Sequence, residues 1–308
     1  MASCESAIWD YLKKIEPSPT QKQGAVRSHN YLRDILCTGQ YANRIKTSYL
    51  SGSYARDTAI APLDDVDIIF VVNPKAWQTS LLFLVPTPET ILRSFANAVR
   101  YRYPNSSVRT QRRSICLQLN HLDIDVVPAI EADSTGQMIL VPDMDTGNWI
   151  KSSPKLHSDA ATKVNQARSE KFKPLVKLLK NWNSNLPSTA NFKSFIVETM
   201  AVRLFQSVDI PSLEEGLLRF FDFMAHLDGK AQAYSWTDKY GMSLNWWAAE
   251  VYDLAGTGSN LVANLDADRR QKFIEHAVRS RNKMQEAQGA VRFDTACKRV
   301  SEALRLRD

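Results

Sequence analysis

No apolar run in the 308 residues is long enough to span a bilayer, and the first residues lack the basic-then-apolar pattern of a secretory leader. A cytoplasmic chain with no membrane partner is therefore expected. Cysteine is scarce: Cys4, Cys37, Cys116 and Cys297 show no Cys-x-x-Cys spacing. That argues against a zinc site or a disulfide framework and fits a reducing compartment. Glycine is scarce too, and its one dense stretch, within residues 252–260, lacks both a preceding strand and a following lysine. It is not a P-loop, because the lysine that reaches the phosphates is missing. Repeats and low-complexity tracts are absent. A strong charge of either sign is also lacking: 39 basic residues against 33 acidic leave +6, which favours anionic ligands without naming one.

What is present is an apolar strand that opens on acids. Residues 65–72, Asp-Val-Asp-Ile-Ile-Phe-Val-Val, are rich in β-branched and aromatic residues and predict a strand covered on both faces. Side chains alternate along a strand, so Asp65 and Asp67 share a face about 7 Å apart. Two carboxylates there are costly unless a cation neutralises them, and hard oxygen donors suit divalent metals. The competing reading is a pair of aspartates capping the turn into the strand. Upstream, a short strand over residues 48–50 leads into Gly52-Ser53 and a short helix. Glycine allows close approach of a ligand, and Ser53 offers a hydroxyl or a cap. A Gly-Ser bend, a loop and then Asp-x-Asp on an apolar strand place a phosphate cradle beside a metal site.

These residues resemble the active-site signature of the polymerase β-like nucleotidyltransferase superfamily. Gly-Ser-Tyr-x-Arg-x-Thr-Ala-Ile and Pro-Leu-Asp-Asp-Val-Asp are similar to the bacterial cGAS/DncV-like nucleotidyltransferases, which make cyclic oligonucleotide messengers in anti-phage defence. The resemblance implies an α/β (α+β) fold: a mixed sheet with flanking helices, plus a mostly helical C-terminal domain like that of oligoadenylate synthase. It implies two Mg2+ ions, or Mn2+, held by Asp65, Asp67 and a third acid, with ATP and/or GTP as substrates. A downstream effector would sense the product, and a monomer that does not bind RNA is expected. An RNA-terminal nucleotidyltransferase using Arg109, Arg112 and Arg113 on RNA phosphates is the rival enzyme; a silent nucleotide sensor is the rival outside enzymology.

Residues 122–128 form a second acidic strand, closed by proline. In the family the third carboxylate precedes a hydrophobic-Val-Pro-Ala sequence, which selects Asp125 in Asp125-Val-Val-Pro-Ala129, with Asp123 as the alternative. The family's triphosphate-contacting lysine matches Lys180 in Leu-Leu-Lys-Asn-Trp, and its phosphate-contacting serine and base-stacking aromatic match Ser194 and Phe195. Lys193 is a further phosphate candidate, while Lys173 and Lys177 read as a solvated face.

The remaining elements follow from periodicity. Helices are expected over residues 3–15, from Pro19 behind a Ser18/Gln21 capping box to about Cys37, and from Thr87 to about Ala98. Strands are expected at 115–119 and 138–142, and residues 141–154 resemble the family's interdomain link. Residues 159–183 read as helix, interrupted at Pro174. Later helices start at about 192, after Ser212, and at 266 and 294, while Trp236, Trp246 and Trp247 read as core. The domains are set at 1–157, whose first helices bridge to the second domain, and 158–308.

Overall fold

The computed structural model describes residues 4–38, 41–77, 86–226 and 251–305. Trp236, Trp246 and Trp247 lie outside them. The chain divides into two units, residues 17–158 and residues 1–16 with 159–308.

The first unit is a mixed sheet with helices on one face. Its strands are β1 (Ile45–Ser51), β2 (Asp65–Val72), β3 (Ser107–Thr110), β4 (Ile115–Gln118), β5 (Asp123–Glu131), β6 (Ile139–Asp143) and β7 (Asn148–Ser152). Their order is β1-β2-β5-β4-β3, and β6 joins the far end of β5 and carries β7. Only β2 and β5 run parallel among these pairs; the others are antiparallel.

Period-two alternation splits the sheet into two faces. Val66, Ile68, Phe70, Ile115, Leu117, Ile124 and Val126 point into the main core, joined by Leu32 and Leu36 from helix α2 (Pro19–Thr38) and Ile91, Leu92 and Phe95 from helix α4 (Pro88–Arg102). The opposite face is apolar only at one end, where Ile69, Val71, Ala129, Ile139 and Val141 cluster. Its other end is acidic. Both helices begin as their sequences require: Gln21 N donates to Ser18 Oγ at 3.2 Å while Ser18 N donates to Gln21 Oε1 at 3.0 Å, and Thr90 N donates to Thr87 Oγ1 at 3.2 Å.

Two strands were missed. Residues 107–110 carry too little apolar alternation to declare β3, which exists by pairing along β4. Residues 148–152, read as part of a link, form β7 in a hairpin with β6. That hairpin is locked by Asp143, which is 1% exposed and accepts from Arg112 Nε at 3.0 Å and Arg113 NH2 at 2.9 Å. Arg112 foremost, and Arg113 with it, hold the Asp143 carboxyl well below the usual aspartate range despite its burial.

In the second unit, α1 (Cys4–Ile15) packs with α6 (Phe172–Asn185), α8 (Leu213–His226) and the last helix. Residues 4–16 thus belong with the helical unit, whereas the sequence reading assigned them to 1–157. The apolar stripe Ile8, Tyr11, Leu12 and Ile15 is buried, and Glu5 caps α8 by accepting from Leu213 N at 3.0 Å and Glu214 N at 2.8 Å. Two further helices, α9 (Ala267–Gln288) and α10 (Phe293–Arg305), complete this end of the chain.

The break expected at Pro174 lies four residues earlier. Helix α5 (Pro154–Ala167) ends where Ser169 and Glu170 adopt left-handed backbone, with φ of 51° and 61°. Asn165 then bridges the gap, its carbonyl accepting from Glu170 N at 2.9 Å and its side chain from Lys173 N at 2.9 Å. Pro174 sits in the first turn of α6, where a missing N–H has no intrahelical partner to lose.

Candidate active site

The acids come together because β2 and β5 are parallel and in register: Asp65 pairs with Asp123, and Asp67 with Asp125. Registered residues on neighbouring strands share a face, so all four carboxylates emerge on the side opposite the main core. Beyond β2, Ser51 of β1 is level with Asp67, and the chain turns there into the single-turn helix α3 (Gly52–Ala55).

Gly52 has φ +69°, and a Cβ at this position would lie 1.8 Å from Asp67 Oδ2. No side chain fits: the Asp67 carboxylate occupies the space a Cβ would fill, which puts the bend and the acid in contact. The bend is braced by Thr58 N donating to Ser53 O at 2.9 Å, with Thr58 and Arg56 buried behind it. Ser53 is half-buried at this edge.

The Asp125 carboxyl is pushed up from 3.8 to about 7 by burial first and then by the charges of Asp67, Asp65 and Asp123. Asp123 instead accepts a 3.5 Å contact from the Cys116 thiol. Register therefore sets Asp125 beside Asp67, and Asp123 one step outward beside Asp65. The donor set, hard carboxylate oxygens under mutual repulsion, fits divalent cations. As they stand, no three His, Cys, Asp or Glu side chains among the described residues are grouped tightly enough to ligate one ion.

The other candidates lie in the helical unit. Lys180 on α6 is buried at 5% exposure, and Ser194 and Phe195 are half-buried in the first turn of α7 (Ser194–Ser207). Sequence reasoning missed the residue that relates them, Asn183. It is buried on α6, donates to Phe192 O at 2.7 Å and accepts from Phe192 N at 2.8 Å, pinning the turn into Ser194. Lys193 is exposed. Lys177, read as solvated, is instead 4% exposed and donates to Glu16 Oε1 at 2.8 Å, because α6 is covered on that side too.

Residues 3–165, just over half of the chain, match the family model described as the Second Messenger Oligonucleotide or Dinucleotide Synthetase domain, SMODS. The chain belongs to the SMODS family. Among its curated relatives, a cyclic AMP-AMP-AMP synthase of Acinetobacter is 33% identical over 205 residues, 63% of this chain and 56% of that protein. A protein of the same name from Escherichia coli MS 115-1 is 27% identical over 192 residues, 58% and 57% of the two chains. The chain spans about half the length of the curated relatives it matches. The solved structure of E. coli MS115-1 CdnC with ATP superposes with a TM-score of 0.76 at 18% identity, over 98% of this chain and 97% of that one. The fold expected from the sequence, a mixed sheet with flanking helices and a mostly helical C-terminal part, is the fold found.

Proposed function

We propose that this SMODS chain is a nucleotidyltransferase that joins nucleoside triphosphates into a cyclic di- or trinucleotide messenger for anti-phage defence, releasing pyrophosphate. The observation that carries the reading is the contact of the Asp67 carboxylate with the Gly52 bend, on a sheet face where Asp65 and Asp125 also emerge. Asp65, Asp67 and Asp125 would hold the divalent cations, two Mg2+ or Mn2+. Cations held there supply Lewis-acid activation of an acceptor hydroxyl and neutralise the donor triphosphate.

The chain's own groups do the rest. Asp125, level with Asp67, accepts the proton of the attacking ribose hydroxyl. Gly52 and Ser53 receive the triphosphate through backbone N–H groups and the serine hydroxyl. By the family resemblance Lys180 and Ser194 are the helical unit's triphosphate candidates and Phe195 its base-stacking candidate, a contact of roughly 1–3 kcal/mol. Positioning and charge neutralisation supply most of the rate in such transfers. Adenine nucleotides are the first substrates to test, since two relatives carry the name cyclic AMP-AMP-AMP synthase.

The RNA-terminal alternative loses support, because Arg112 and Arg113 are committed to Asp143. Incubation with labelled ATP, then ATP paired with each other NTP, in Mg2+ or Mn2+ should yield phosphatase-resistant products that vanish in Asp67→Ala. Extended RNA in place of a cyclic product would refute the assignment, as would an active Asp67→Ala enzyme.

A further inference from the structure

One row of residues crosses the acidic face of the sheet. Strand pairing aligns Ser51, Asp67, Asp125, Cys116 and Arg109 from β1, β2, β5, β4 and β3 in turn. The Gly52 bend stands at one end of this row, next to Asp67. Arg109 stands at the other end, two strands beyond Asp125, about 10 Å at the usual spacing of neighbouring strands. Its orientation is fixed by its neighbour: Val108 packs on the main core, so Arg109 points to the opposite face, and it is exposed there.

Arg109 is level with the buried Cys116, which is itself level with Asp125. A positive residue therefore shares the face of the acids, one strand beyond the buried Cys116. The neighbouring arginines differ in kind, because Arg112 and Arg113 both serve Asp143.

We infer that Arg109 binds the 5′-phosphate of the acceptor nucleotide. The inference rests on the reading of the acids as the transfer centre. In that reading the donor triphosphate occupies the Gly52 end of the row and the attacking ribose hydroxyl lies at Asp125. A ribose carries its 5′-phosphate on the side away from that hydroxyl, so the acceptor's phosphate points along the row toward β3. Arginine is suited to the role, since its planar fork matches two phosphate oxygens and its charge persists at every working pH. The row then has an anion-binding group at each end with the carboxylates between them, so a nucleotide phosphate is met on either side of the reacting centre. Nucleosides without a 5′-phosphate should be poor acceptors.

The test uses 2′,3′-dideoxy-ATP as the donor, since it lacks the hydroxyls needed to act as acceptor, and offers adenosine or AMP as the acceptor. Transfer to AMP should exceed transfer to adenosine by about tenfold or more in kcat/KM, the scale of one charge-assisted phosphate contact. Arg109→Gln should bring the two acceptors within about twofold of each other by lowering the AMP value alone, and Arg109→Lys should restore part of the preference. A second readout needs no turnover: with Ca2+ replacing Mg2+, calorimetric titration should show the same collapse of the AMP-over-adenosine affinity ratio in Arg109→Gln. Equal losses for AMP and adenosine would mean that Arg109 only supports Cys116 and the strand, and would overturn the inference while leaving the transfer centre intact. Absence of any transfer by the wild-type chain would overturn the catalytic reading and the inference together.

Discussion

Replacing Asp125 by asparagine tests whether the acids crowd one another as the sheet register requires. Its carboxyl is raised from 3.8 to about 7, so in the folded protein it keeps its proton through a range where the unfolded chain has released it. Between about pH 4 and pH 7 the native state binds more protons than the unfolded state, and stability falls as pH rises, with the full penalty present above pH 7. Three pKa units correspond to a ceiling of about 4 kcal/mol. Partial hydration of the site reduces this to roughly 1–2 kcal/mol. The amide of the variant cannot ionise and escapes the penalty. In EDTA, Asp125→Asn should melt only slightly above wild type at pH 5 and roughly 2–6 °C above it at pH 8.5. Distant titrating groups change both proteins alike and cancel in the difference, whereas Asp65, Asp67 and Asp123 face Asp125 and add to it. Adding Mg2+ should then raise the wild-type melting temperature more than the variant's, since only wild type keeps all three proposed ligands. A stability difference that does not grow between pH 5 and pH 8.5 would refute the loading of Asp125 by burial and its acidic neighbours, and an equal response to Mg2+ would remove Asp125 from the ligand set.

Gly52→Ala should abolish transfer at least about a hundredfold and suppress Mg2+-dependent stabilisation, because its Cβ collides with the Asp67 carboxylate. Gly147→Ala, with φ +67° and nothing near its Cβ, should carry only the backbone strain, about 1 kcal/mol in urea melts; equal activity losses in the two variants would refute the contact argument. Ser280→Ala should cost about 1–3 kcal/mol in urea denaturation, since the buried Trp182 Nε1 donates to Ser280 Oγ at 2.8 Å and loses its acceptor; no change would show that the bond is dispensable. Asp143, held well below the usual range by Arg112 and Arg113, stabilises the fold above about pH 4 and loses that contribution as pH falls. Asp143→Asn should therefore be less stable than wild type by about 2 kcal/mol at pH 7, and the gap should narrow on acidification to pH 2–3.

The acidic strand declared itself in the sequence because alternation is local. Asp65 and Asp67 must share a face of any strand, and the β-branched run behind them admits little else. The same logic paired Asp123 with Asp125, and capping residues announced α2 and α4 before any contact was known. Periodicity located most helices for the same reason, whereas the break before α6 escaped it, being made by left-handed backbone at Ser169 and Glu170 instead of by the proline nearby.

Which acids meet was not a local matter. Asp67 and Asp125 are far apart in the chain, and only the parallel register of β2 and β5 sets them level, with Asp123 one step away. The same pairing made a strand of residues 107–110 and turned Arg109 onto the acidic face, separating it from Arg112 and Arg113, with which the sequence groups it. Burial of Lys177 and the capture of Arg112 and Arg113 by Asp143 also arise from elements distant in the chain. Local sequence thus determined what each segment could become and which side chains share its face. Tertiary structure alone decided which faces adjoin, because charge, burial and reach across strands depend on partners that the segment itself does not contain.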